Sequence, residues 1–263
     1  MAINGYPSIS SNMYTPSVSS VSQSLASGLR INQAADDAAG QAIVSAFSTQ
    51  INTQDMGVQN ANSGISLLQT ADGASNSING YLQRMSELAV QASNGTLNDT
   101  QRNSLNQEFQ QNLQGINQIA ESTSFNGQTL LNGDTSNINI ALGDSNASLN
   151  LPTLTTDGLA VSGLDISNPA NAATAIQNLG SAIEQLGIQR SEFGAQQSGL
   201  SAYIDNAQGQ NINNFAARSQ INDTNYAQAI TEQVRQNVLQ DSNIAMQAQT
   251  NQSRASVLQL LNS

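Results

Sequence analysis

Apolar residues recur at helical spacing through most of this chain, and their intervals predict five helices around one short β segment. Over residues 16–28, Val18, Val21 and Leu25 stand three and four apart, a narrow apolar stripe on a Ser- and Gln-rich helix. Gly28-Leu29-Arg30-Ile31-Asn32 reads as a stop, and residues 34–40 as a connector. A long helix is predicted over residues 41–93. Its apolar positions are Ile43, Phe47, Ile51, Val58, Ile65 and Leu68, then Ile78, Leu82, Met85 and Ala89. Steps of three, four and seven dominate, as in coiled-coil-like packing. Asn94-Gly95 ends this helix.

Asp99 or Thr100 can cap a third helix carrying Leu105, Phe109, Leu113, Ile116 and Ile119 on one side. The period then shortens. Phe125-Asn126-Gly127 and Leu131-Asn132-Gly133 are turn signals. Ile138, Ile140 and Leu142 alternate with polar residues, and so do Leu149 and Leu151 after residues 143–146, which reads as a β-hairpin. Ser167-Asn168-Pro169 is a helix start, because proline suits the first helical position. Ile176, Leu179, Ile183, Leu186, Phe193, Leu200 and Ile204 continue as a seam towards Phe215. A polar connector over residues 217–225 precedes a last helix with Tyr226, Ile230, Val234 and Ile244, ending in Val257-Leu258-Gln259-Leu260-Leu261.

The expected fold is mainly α: long antiparallel helices in a rod-like bundle, a small β-hairpin region, and terminal helices paired as a coiled coil. Residues 1–32 and 226–263 would form one discontinuous domain, reached through connectors at 33–40 and 217–225. Residues 41–216 would form the bundle, with its β region at about 122–166. Helices rich in Gln, Ser and Ala gain their stability chiefly from packing. The terminal pair is poorly provided for in an isolated copy, so the pattern suits a self-associating subunit.

Composition narrows the chemistry. The 263 residues contain no Cys, His or Lys, and Asn and Gln together make about a quarter of the chain. That excludes a disulfide framework or thiol nucleophile, a His-based metal site or triad, and a Lys-dependent phosphate loop. Seven Arg stand against 18 carboxylates, a net charge of -11 that disfavours nucleic-acid binding. There is no apolar run long enough to cross a membrane. The first cation is Arg30, so no cleavable secretory signal is expected. Asp36 and Asp37, as helix neighbours, point about 100° apart and read as a connector that places negative charge at a helix start, not as a metal or acid–base pair. Catalytic, metal and cofactor sites are therefore expected to be none.

The run from Leu25 to Ile43, which includes Leu25-Ala26-Ser27-Gly28-Leu29-Arg30-Ile31-Asn32 and Ala34-Ala35-Asp36-Asp37-Ala38, closely resembles bacterial flagellin. The match continues at Asn62-Ser63-Gly64-Ile65-Ser66-Leu67-Leu68, at Leu82-Gln83-Arg84-Met85-Ser86-Glu87-Leu88-Ala89-Val90-Gln91-Ala92 and at Phe125-Asn126-Gly127. It returns at Ala216-Ala217-Arg218-Ser219-Gln220-Ile221-Asn222-Asp223 and in the closing Val257-Leu258-Gln259-Leu260-Leu261. It covers the chain apart from about 134–165, where the large outer domains of many flagellins are missing.

The resemblance implies an extracellular filament subunit of the bacterial flagellum, exported unfolded through the flagellar export apparatus. It implies a filament core of paired terminal helices, here Val18, Val21, Leu25 and Leu29 with Val257, Leu258, Leu260 and Leu261. It also implies an export chaperone, a filament cap and hook-junction proteins as partners. Gln83, Arg84, Glu87, Leu88 and, on the next helix, Glu108 match the family's contact surface for neighbouring subunits and for the Toll-like receptor that senses flagellin. Ser86 stands where many flagellins carry Arg. The early Pro7 and Pro16 shorten the first helix relative to the family. A hook–filament junction adaptor is the alternative function, since it shares the terminal pattern.

Overall fold

The computed structural model describes residues 15–261, with side chains described over residues 20–257. Five helices and two small antiparallel strand pairs follow in the order α1 (Thr15–Ser27), α2 (Ala38–Ala92), α3 (Asp99–Ser122), β1 (Ser124–Phe125), β2 (Gln128–Thr129), β3 (Asn137–Leu142), β4 (Ser145–Asn150), α4 (Pro169–Asn222) and α5 (Tyr226–Leu261). The fold is mainly α with a small β region, as the periodicity requires. By compactness the chain divides into residues 52–211 and a second unit made of residues up to 51 and from 212 onward.

Residues 52–211 hold an apolar core. Leu68, Ile78, Leu82 and Met85 of α2, Phe109 and Ile116 of α3, and Leu179, Leu186 and Phe193 of α4 are buried together. Local signals set the helix ends. Asn98 caps α3, accepting from Gln101 N–H at 2.8 Å while Gln101 Oε1 accepts from Asn98 N–H at 3.0 Å. This capping box selects Asn98 over the expected Asp99 or Thr100, because only Asn98 has a Gln at the reciprocal position. Asn168 caps α4 through the Asn171 N–H at 2.8 Å, with Pro169 first in the helix as expected.

The β region is built on tight turns. Asn126 and Gly127 both have positive φ, the conformation that two-residue hairpins need, and they join β1 to β2. In the second hairpin Ile138 faces Leu149 and Ile140 faces Ala147, and Leu142 and Leu149 are buried. The loop is two residues, Gly143 and Asp144, because pairing runs on to Leu142 and Ser145. Tyr203 of α4 donates its hydroxyl to the Leu142 carbonyl at 2.8 Å. A Cβ on the buried Gly57 would run into that hydroxyl and the Leu142 backbone, so glycine permits the close approach. The segment before α4 is tied to α3 by Asn117, which accepts from Thr156 N–H at 2.9 Å, and by Gln110, which donates to the Leu164 carbonyl at 2.8 Å.

In the second unit α1 packs against α5. Gly28, at φ +74°, closes α1. An antiparallel bridge between Leu29 and Asp223 follows, with Arg30 N–H on the Asn222 carbonyl at 2.6 Å and Thr224 N–H on the Gly28 carbonyl at 2.9 Å. The Arg30 guanidinium donates to the Ile221 carbonyl at 2.8 Å, at the negative end of α4. The helices extend further than the sequence pattern indicates: α2 begins at Ala38 and α4 runs to Asn222, through much of the expected connector. Asp37 explains the first shift. Its Oδ1 accepts from Gly40 N–H at 2.8 Å, which caps the helix three residues ahead of the expected start. A Cβ on Gly40 would strike the Asp37 carboxylate and Ile31. Asp36 instead accepts from the N–H groups of Asn32 and Gln33, both at 3.0 Å. Those backbone donors hold the Asp36 carboxyl below its usual range, and the Gly40 N–H does the same for Asp37.

Candidate functional site

The face of α5 that meets α1 is not its most apolar face. Ala229, Glu232, Gln233 and Gln236 are the half-covered residues, and Gln233 reaches Ser22 at 3.5 Å. Tyr226, Ile230, Val234 and Val238 are exposed. They stand four residues apart and so drift by about 40° per step, which keeps them within one arc of about 120°. Ile244 falls in the same arc and is 59% exposed. Leu239, Met246 and Val257 are exposed on another side. Large apolar side chains left open on a helix this long form an unpartnered surface of the kind that marks an interaction site. Val238, Leu239 and Met246 were not among the expected contact positions, although Val238 continues the four-residue step.

The expected packing residues of the terminal helices divide. Val21, Leu25 and Leu29 are half-buried, and Val257 is 54% exposed. The side chains of Val18, Leu258, Leu260 and Leu261 lie outside the described residues.

The second expected site is brought together by α2 and α3. Arg84 donates to Glu108 of α3, with Nη2 at 2.7 Å and Nε at 2.8 Å, and its Nη1 donates to Glu87 at 3.0 Å. Glu108 first and Glu87 second raise the guanidinium pKa above its ordinary value. Gln83, Arg84 and Glu87 are exposed and Glu108 is half-buried, so four of the five expected residues form one polar surface. Leu88 is the correction. It is 1% exposed and belongs to the core, because one turn beyond Arg84 the helix has already rotated this position inward beside Met85.

Two further Arg side chains tie segments together, one across the chain and one within a turn. Arg190 of α4 pairs with Asp72 of α2, Nε to Oδ1 at 2.7 Å, and donates to Asn76 at 3.2 Å. Arg102 is buried and donates to the carbonyls of Ala92, Asn94 and Leu97, at 3.0, 3.4 and 3.1 Å, clasping the turn between α2 and α3. Among the described residues no group of three or more carboxylates is placed to hold a metal ion.

The family model for the bacterial flagellin N-terminal helical region matches residues 3–136, and that for the C-terminal helical region matches residues 176–261. A flagellin of Halalkalibacterium halodurans is 39% identical over 244 residues, covering 91% of this chain and 90% of that protein. A flagellin of Salmonella dublin is 40% identical over 163 residues, 61% of this chain but 32% of that longer protein. The crystal structure of Bacillus cereus flagellin is similar with a TM-score of 0.52 and 34% identity, covering 57% of this chain and 88% of that one.

Proposed function

This chain belongs to the bacterial flagellin family, and we propose from that premise how its surfaces serve assembly. It is a structural subunit that self-polymerises into the filament of the bacterial flagellum, the propeller of motility. The observation that supports self-assembly most directly is the open apolar arc of α5, which nothing among the described residues covers. Another copy has the same arc to cover and the same need, so repetition buries it at every added subunit.

Residues 1–32 and 226–263 are the filament-core domain, residues 33–40 and 217–225 the connectors, and residues 41–216 the helical-bundle domain with its β region at about 122–166. Val21, Leu25, Leu29 and Val257 pack between core helices. Gln83, Arg84, Glu87 and Glu108 face neighbouring subunits and the host Toll-like receptor, and Leu88 supports them from beneath. The subunit leaves the cell through the flagellar export apparatus with an export chaperone, and it meets the cap and hook-junction proteins outside. The chain has no enzymatic role, in keeping with its lack of His, Cys and Lys. The relatives reported above are flagellins, so the junction-adaptor alternative is not better supported.

Purified subunits mixed with sheared filament ends test the reading. Elongation of the seeds into filaments, seen by negative-stain microscopy, is the expected result. Folded subunits that never extend a seed would overturn it.

A further inference from the structure

The turn between α2 and α3 sets an asparagine amide beside an unprotected backbone nitrogen. Asn94 lies just past the end of α2 and is followed by Gly95. Asn94 Oδ1 accepts two hydrogen bonds, from Thr96 N–H at 3.0 Å and from Thr96 Oγ1 at 2.9 Å. A side-chain oxygen bonded to the amide two residues ahead folds the carboxamide forward over the peptide between them, here that of Gly95. The same two donors polarise the carboxamide and are in place for negative charge on its oxygen. Gly95 N–H makes no backbone hydrogen bond among the described residues. Gly95 is exposed, and open space lies where a Cβ would stand.

We propose that Asn94 is a site of spontaneous deamidation, an ageing mark built into the α2–α3 corner. Hydroxide takes the Gly95 amide proton, and the nitrogen attacks Asn94 Cγ. The new N–Cγ bond forms, and the Thr96 donors hold the charge on Oδ1. The Cγ–Nδ2 bond then breaks, and ammonia leaves with a proton from water, which restores hydroxide. Water adds to one carbonyl of the cyclic imide and cleaves one C–N bond, giving aspartate or isoaspartate. The balance is one water consumed and one ammonia released, without oxidation or reduction, and the surface gains one negative charge.

Among the described residues the other Asn-Gly pairs lack this arrangement; a fifth pair, Asn4-Gly5, lies outside the described residues. Gly80, after Asn79, lies inside α2, where the helix hydrogen-bond ladder engages its nitrogen. Asn126 is held at φ 51° by the strand pair on either side of it. Asn132 accepts from Asp134 N–H at 3.1 Å, but its Nδ2, the leaving nitrogen, donates to the Asp134 carboxylate.

The mark has a structural consequence. Isoaspartate lengthens the main chain by one methylene where the Asn94 carbonyl accepts from Arg102 at 3.4 Å and from Leu97 N–H at 3.3 Å. Arg102 is 5% exposed, so donors that slip out of register there find no water to replace the lost carbonyl.

The folded protein is incubated in mildly alkaline buffer, digested, and its Asp and isoaspartate content measured by mass spectrometry at the four Asn-Gly pairs within the described residues. Asn94 should convert at least about tenfold faster than Asn79, a barrier difference well within what oriented donors supply. Thr96→Val removes one oxyanion donor and should slow Asn94 by about threefold to tenfold. Gly95→Ala is tolerated at this open position and should slow it further, while preserving the melting midpoint that wild type loses on ageing. Chains unfolded in urea should show the four pairs converging. Folded Asn94 reacting no faster than Asn79 or Asn126, or a Thr96→Val rate equal to wild type, would overturn the proposal.

Discussion

Replacing Ile230 and Val234 together by Ser should raise the critical concentration for filament growth by about 10- to 100-fold. The two side chains are 48% and 55% exposed in the single chain, so about half of each remains to be buried on assembly. Full burial is worth about 1.5–3 kcal/mol per side chain, and half of that for two residues is about 1.5–3 kcal/mol per added subunit. Each 1.4 kcal/mol is about a tenfold change in the equilibrium. The subunit itself should be nearly unaffected, because exposed substitutions usually move stability by less than about 0.5 kcal/mol each. The assay is seeded growth to a plateau, followed by sedimentation and measurement of the soluble fraction, with thermal melting run alongside. A variant with the wild-type critical concentration and normal filaments would refute the assignment of this arc to the subunit interface. A variant that melts early would instead show that the arc supports the single chain.

Deleting residues 257–263 should abolish filaments while residues 52–211 stay folded, since that unit holds its own core; loss of its helical signal on deletion would contradict this. Arg84→Ala removes the bridges to Glu108 and Glu87, and it should weaken assembly or receptor signalling with little change in melting; wild-type behaviour in both assays would count against the site. Arg102→Met removes the guanidinium donor from the Ala92, Asn94 and Leu97 carbonyls, of which Asn94 keeps the Leu97 N–H, and should cost about 2 kcal/mol or more in urea unfolding, in contrast to an exposed Arg→Met change. Asp165 accepts from the Ser167 hydroxyl, from Asn171 and from Ser167 N–H, which together depress its pKa. Its contribution to stability is therefore complete above the ordinary carboxylate value of about 3.9 and fades as pH falls through the depressed folded value. Asp165→Asn should flatten that acid limb in melting curves, and an unchanged limb would show that the loop's hydrogen bonds do not sense the charge.

The amino-acid sequence by itself determined which segments are helical and where several of them turn. Asn168-Pro169 starts α4 and Asn94-Gly95 follows the end of α2 because caps and turns depend on a few adjacent residues, whose φ and side-chain reach are local properties. The β3–β4 hairpin was likewise legible, since Ile138, Ile140 and Leu142 alternate where the helical period stops. Only the tertiary structure decided which faces are spent within the chain. Arg84 and Leu88 stand one turn apart in a single motif, yet one reaches Glu108 at the surface and the other is sealed in the core. Asp72 and Arg190 pair across 118 positions, a distance that no spacing rule spans. In α5, Gln, Ala and Glu meet α1 while Ile230, Val234 and Val238 stay open, although a periodicity argument would bury the apolar side. The reason is that a helical period reports which residues share a face. What covers that face depends on segments brought near by folding, and for α5 the apolar arc has no cover among the described residues.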